Sequence, residues 1–284
     1  MQQSCPTTSA RLCLPRRAGA FTLVELLVVI GIIALLISML LPVVTKARQQ
    51  AKMTEEMAAA RQLMIAYLAY TTDNRGALMP GRIDISQHPG MLVPDDRGDA
   101  LAPAEAANRW PWRLMAYIQY GLRGTILVNE RANAMADRDQ DMWAYKVSVY
   151  PSLGLNMYNV GGDKEVPSMN MPGYIERITQ SRHSTRLIVF ASARGDAATH
   201  GYFKVVPPVY KLKTWPSPQR WPAHPYNEAD SADKWGYVHP RWQGRATVAC
   251  LDGHVETLSL DELRDMTRWA EPAARSGDRD WIPQ

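Results

Sequence analysis

From Leu26 to Val44 the chain runs for nineteen residues without a charged side chain, most of them Leu, Ile and Val. At about 1.5 Å per helical residue this stretch reaches roughly 28 Å, close to the bilayer hydrocarbon thickness of about 30 Å. A soluble domain could bury such a helix. A single membrane-inserting helix fits its length and lack of charge better. A secretory signal peptide fits less well, because its apolar region spans about 7–15 residues and precedes a small-residue cleavage site. Here the small residues Ala18-Gly19-Ala20 come before the run, and Thr45-Lys46-Ala47-Arg48 follows it with helical character.

One acid, Glu25, stands inside the apolar boundary. A carboxylate in hydrocarbon costs about 2.5–3.5 kcal/mol at the helix centre and less near an end. Cleavage between Ala20 and Phe21 would create an α-amine close by in sequence. That amine, its own or a neighbouring subunit's, would supply the counter-charge, helped by the unpaired amides of the helix start. The plainer alternative is an uncleaved anchor from which Glu25 snorkels to the interface.

Arg16-Arg17-Ala18-Gly19-Ala20, followed by Phe21-Thr22-Leu23-Val24-Glu25-Leu26-Leu27-Val28-Val29-Ile30, resembles the leader and cleavage–methylation motif of type IV prepilins and type II secretion pseudopilins. The resemblance implies a prepilin peptidase that cuts before Phe21 and methylates its amine. It also implies a role for Glu25 in subunit register and assembly, and a break at Pro42. The residue before the cut is usually Gly in that family and here is Ala20, with Gly19 one place earlier; alanine is small enough to permit cleavage. Arg11, Arg16 and Arg17 before the span nearly balance Lys46, Arg48 and Lys52 after it, so charge does not set orientation. The resemblance implies a cytoplasmic leader, an inner-membrane span and a body in the periplasm or outside, with an inner-membrane assembly platform and other pilin subunits as partners.

Beyond Pro42, whose missing N–H should kink or locally melt the helix, Met53, Met57, Ala60, Met64 and Tyr67 form one apolar stripe. Glu55, Glu56, Arg61 and Gln62 are read onto other faces. A helix from Phe21 to about Thr72 would be roughly 75–80 Å long. This divides the chain into a leader (1–20), a membrane and assembly helix (21–44), a stalk helix (45–72) and a globular domain (73–284). The fold class expected is α+β and pilin-like, a long N-terminal helix packed on a small antiparallel sheet.

Within the globular part, Trp110–Ile118 reads as a short helix and 139–147 as a packed segment. Leu187–Ala191 is the clearest internal strand, and Gly201–Val206 suggests another. The proline-dense stretch of about 213–236 reads as a surface loop held down by tryptophans. Arg245–Leu251 and His254–Leu258 flank Asp252-Gly253 and read as a hairpin with a two-residue turn. That register sets Cys250 opposite Val255 on a core face with Val248, and Leu251 opposite His254. Ser259 with Glu262 three residues on predicts a capped helix, and Trp269 should dock it onto the sheet. Tyr70–Pro80, Ser152–Tyr158, and His239 with Asp252-Gly253-His254-Val255 are similar to segments of large pseudopilin-like proteins common in planctomycetes and their relatives. Ala59 and Ala60 depart from the polar stalk positions usual there.

The charge balance excludes little by itself. Residues 1–20 hold three arginines and no acid, so without them the formal charge of +4 falls near zero and no nucleic-acid partner is expected. Cys5 and Cys13 lie in the same segment, which leaves Cys250 as a lone thiol with no disulfide partner. The function expected is structural, a subunit of a type IV pilus or type II secretion pseudopilus-like filament, non-enzymatic and without a cofactor. One rival is an anchored extracytoplasmic binding module. Another is an anchored metal-dependent hydrolase using His239, Asp252, His254 and Glu256, whose residue types suit zinc. Structural calcium, with Asp252 and Glu256 as candidate ligands, is a further expectation.

Overall fold

A computed structural model describes residues 23–98, 100–135, 137, 142–195, 201–211 and 217–283. These fall into two units, one ending at Arg48 and the other beginning at Gln49. Helix α1 (Leu23–Asp73) contributes to both. Up to Arg48 every described side chain is exposed, as expected where apolar residues occupy all sides of a helix and none selects a buried face. Pro42 lies inside α1 without interrupting it. The proline withholds one backbone hydrogen bond, and the helix continues across that gap.

From Gln49 onward α1 is striped. Glu56, Ala59, Ala60, Leu63, Met64, Ala66, Tyr67 and Thr71 are buried, and Met53 and Met57 are half-buried. The stripe follows the predicted period, with one correction: Glu56 lies on it rather than on an outer face. Its steps of four, three and four to Ala60, Leu63 and Tyr67 place it on the buried side. Gly76, with φ +83°, turns the chain after the helix, and its N–H donates to the Thr71 carbonyl.

The strands are β1 (Leu153–Leu155), β2 (Ile188–Ser192), β3 (Val209–Tyr210), β4 (Gln219–Arg220), β5 (Arg245–Cys250) and β6 (Val255–Ser259). Four form an antiparallel sheet in the order β1-β2-β5-β6, and β3 pairs with β4 separately. On one face Leu63, Met64 and Tyr67 of α1 pack with Trp110, Leu155, Phe190, Ala249 and Leu251. On the other, Ile188, Ala191, Val248, Cys250 and Leu258 meet Trp221, Trp235 and Trp269. Burial on both faces explains why β2 reads as a continuous apolar run. The Tyr67 and Trp110 rings meet Phe190 edge-on at 5.6 and 5.1 Å between centroids.

Trp110–Arg113 and Met115–Ile118 are successive short helical turns, and Trp143–Val149 is helical. In the proline-dense loop Trp221 and Trp235 are buried, and Trp221 lies 5.9 Å from Trp269. Gly201–Val206 is not a strand. It runs beside β1 with one bridge, Leu155 to Lys204, and the following Pro207-Pro208 has no N–H with which to extend pairing.

The hairpin forms one residue out of the expected register. Ala249 faces Val255, Val248 faces Glu256, and the Cys250 N–H donates to the His254 carbonyl at 3.0 Å. Leu251 cannot pair with His254, because it is buried and its N–H is taken by the Leu187 carbonyl at 3.0 Å. The turn therefore spans Leu251–Gly253, closed by Gly253 N–H to the Cys250 carbonyl at 2.8 Å, with Gly253 at φ +96°. The slip exchanges faces. Val255 joins Ala249 on the side of α1, while His254 and Glu256 join Val248 and Cys250. The Ser259–Glu262 capping box is present, and Trp269 is buried against the sheet with its Nε1–H on the Leu263 carbonyl.

Candidate functional site

Two groups of residues carry the functional expectations. The first is the start of α1. Glu25 sits in its first turn, where backbone N–H groups lack helical partners and the local potential is positive. The apolar side chains from Leu23 to Val44 stand exposed around the helix, which is long and apolar enough to cross a membrane. Gly19, Ala20 and Phe21, the predicted processing residues, lie outside the described residues.

The second group is the closing hairpin. Asp252 holds the turn: its Oδ1 accepts the His254 backbone N–H at 3.1 Å and lies 2.6 Å from His254 Nδ1. His254 Nε2 is 3.4 Å from Glu256 Oε1, and Arg268 donates to that same oxygen at 2.6 Å. Of the predicted constellation, Asp252, His254 and Glu256 are brought together. His239 is placed elsewhere, its N–H on the Ser192 carbonyl at 2.8 Å and its Nε2 2.9 Å from Glu228. The donor that joins His254 and Glu256 is instead Cys250; one donor atom from each of these three residues lies within 4.8 Å of the others. Burial, with the Glu256 carboxylate adding to it, pushes the Cys250 thiol up to about 12.

Sequence reasoning missed a third constellation. Glu56 accepts hydrogen bonds at Oε1 from the Ser192 hydroxyl and, at 3.1 Å, from Trp242 Nε1; its Oε2 lies 3.4 Å from Arg241 Nη1. Ser192 Oγ also accepts the Thr247 N–H at 2.9 Å, and Arg241 Nη2 donates to the Ala193 carbonyl at 2.5 Å. A fully buried carboxylate on α1 is thus tied to β2, β5 and the segment before β5. The arrangement orients and pairs a charge and presents no nucleophile with a histidine base. Its signal in the sequence was the position of Glu56 in the helical period.

The Ser152–Tyr158 segment has a structural explanation. Ser152 Oγ accepts the Val128 N–H at 2.9 Å, and Asn156 Nδ2 donates to the carbonyls of Ile188 and Trp269, each at 2.9 Å. A Cβ on Gly154 would stand 2.7 Å from the Lys204 carbonyl carbon, so glycine is what lets that segment approach β1. Lys204 itself is largely enclosed, donating to Tyr158 Oη at 2.8 Å; burial, aided by the Arg82 charge, pulls it down to about 8.

Residues 15–41 match the family described as the prokaryotic N-terminal methylation motif. The match covers Gly19, Ala20, Phe21 and Glu25 and supports a prepilin-type pilin or pseudopilin. No curated protein and no solved structure matches the chain. The architecture, a long apolar N-terminal helix with an antiparallel sheet domain, is α+β and pilin-like.

Proposed function

We propose that this chain is a structural subunit of a filament of the type IV pilus or type II secretion pseudopilus kind. A prepilin peptidase cuts it between Ala20 and Phe21 and methylates the new amine. The mature helix sits in the inner membrane with the body on the periplasmic side, and an inner-membrane platform moves it into a filament. Assembly buries the apolar half of α1 among its copies, and Glu25 pairs with a Phe21 amine to set the register. In lipid, apolar helices gain little hydrophobic energy from one another, so packing and that one ion pair specify association. The chain performs no chemistry of its own.

The observation that carries this reading is the methylation-motif match at 15–41 on a helix whose apolar side chains are all exposed up to Val44. The test is intact mass and N-terminal sequencing of protein recovered from membranes. A chain beginning at N-methyl-Phe21 supports the proposal; one that retains Met1 overturns it. Replacing Glu25 by Ala should abolish recovery in sheared filaments while the body's melting temperature is unchanged.

A second reading, an anchored binding module, draws on an open groove of about 880 Å³ beside the proline-dense loop, lined by His224, Tyr226, Glu228, Arg241 and Arg264 among others. It predicts that Glu25→Ala leaves assembly and localisation untouched.

A further inference from the structure

The slip in hairpin register has a chemical consequence. Cys250 and His254 face each other one step beyond the last β5–β6 pair, Ala249–Val255, and Glu256 follows two residues on, so all three point to one face of the sheet. We infer that the closing hairpin is a binding site for one thiophilic divalent cation, zinc by its chemistry, with Cys250 Sγ, His254 Nε2 and Glu256 as ligands and Asp252 as the residue that orients the imidazole.

Three observations carry this. The first is proximity. Ligand atoms around tetrahedral zinc lie roughly 3.3–3.8 Å apart, given bond lengths of about 2.0–2.3 Å. The three donors here fall within 4.8 Å of one another, so small side-chain rotations close the site. The second is the setting of His254. Its Nδ1 lies 2.6 Å from Asp252 Oδ1 and its Nε2 3.4 Å from Glu256 Oε1. A carboxylate on the far imidazole nitrogen is the usual support of a metal-bound histidine. The third is access. The thiol is fully buried, while His254 and Glu256 are half-buried and open the cluster to solvent on their side.

The donor set selects the metal. Calcium takes oxygen ligands, whereas thiolate and imidazole suit zinc. Arg268, 2.6 Å from Glu256 Oε1, offsets part of that carboxylate's charge, so affinity rests mainly on Cys250 and His254. Binding replaces the thiol proton by the metal and releases the proton to solvent. The role is structural, fastening the turn of the last hairpin, and three ligands from seven consecutive residues make it a local clip.

The test uses the full chain in detergent, with Cys5 and Cys13 replaced by Ser so that Cys250 is the one remaining thiol. After chelator treatment, cobalt(II) should give a thiolate charge-transfer band in the near ultraviolet and tetrahedral bands in the visible, both displaced by one equivalent of zinc. Cys250→Ser should abolish the charge-transfer band. Asp252→Asn should retain it with zinc affinity weakened about 10- to 100-fold. Absence of the band, or zinc binding unchanged by Asp252→Asn, overturns the proposal. Should Cys250→Ser not fold, His254→Ala takes its place, and an undiminished zinc affinity there is equally fatal.

Discussion

The two stretches of α1, Leu23–Arg48 and Gln49–Asp73, share one secondary structure and differ in how their apolar residues are arranged. In the first they surround the axis, and no described side chain is buried. In the second they fall on one stripe, and eight side chains, including Tyr67 and Glu56, are buried. The stripe is covered by the chain's own sheet, loops and tryptophans. Among the described residues of its unit the all-round surface has no such cover, which suits a membrane-anchoring helix. Each stretch also carries an acid in an apolar setting. Glu56 is satisfied by Ser192, Trp242 and Arg241, partners that the body supplies.

If that division holds, Glu56→Ala acts on the body alone, and it has the largest effect expected. Removing one member of a buried pair leaves Arg241 uncompensated, at a cost of about 3–5 kcal/mol. Thermal or denaturant melts of the detergent-solubilised chain should show this loss, with membrane association unchanged. A variant as stable as the parent would mean that Glu56 adds nothing to the join between α1 and the sheet.

Ile33→Asp probes the other side. Ile33 is 48% exposed near the middle of the charge-free run, and an acid there costs about 2.5–3.5 kcal/mol of insertion. Membrane pelleting should drop while the body's melting temperature stays constant. A matching drop in melting temperature would show that the apolar stretch contributes to the body's stability, and the comparison would fail.

The contrast between the stretches was legible because period is a property of sequence: absence of charge marked the first and a 3.6-residue stripe the second. The strand at 188–192, the Ser259 cap and the docking of Trp269 were legible for similar reasons, each being a short signal with a local cause. Glu56 was not, because a charged side chain is ordinarily placed outside, and its partners Ser192, Arg241 and Trp242 are far along the chain. The hairpin was legible as a hairpin but not in register, since a non-local bond from Leu251 to Leu187 decides the turn. Cys250, His254 and Glu256 share a face only in that register, so the cluster could not be seen until it was known.

A smaller effect separates the body by pH. Lys204, held at about 8 by burial and the Arg82 charge, has a folded value below its ordinary 10.5. Between those values the unfolded chain binds more protons, so this group makes stability rise as pH increases through the window. Lys204→Met should raise stability at pH 7 by on the order of 1–3 kcal/mol and flatten the rise toward pH 10, as read from denaturant midpoints. Membrane association should not change at any pH in that range. An unaltered pH profile would show that the enclosed amine is charged at no cost.

The smallest effect is expected at Ile65, and it sharpens the comparison most because the chemistry resembles that at Ile33. Both are isoleucines on α1 with exposed side chains, Ile65 at 60%. Yet Ile65 lies in the striped stretch, on the side away from Leu63, Met64 and Tyr67. Ile65→Lys should therefore change stability by no more than about 0.5 kcal/mol and leave membrane pelleting intact. The same variant also reports on the filament. If copies pack along the second stretch as well as the first, the lysine introduces like charges between neighbours, and filament yield falls while the melting temperature does not. Unchanged yield would confine the assembly surface to the residues before Gln49, where the helix is apolar on every side.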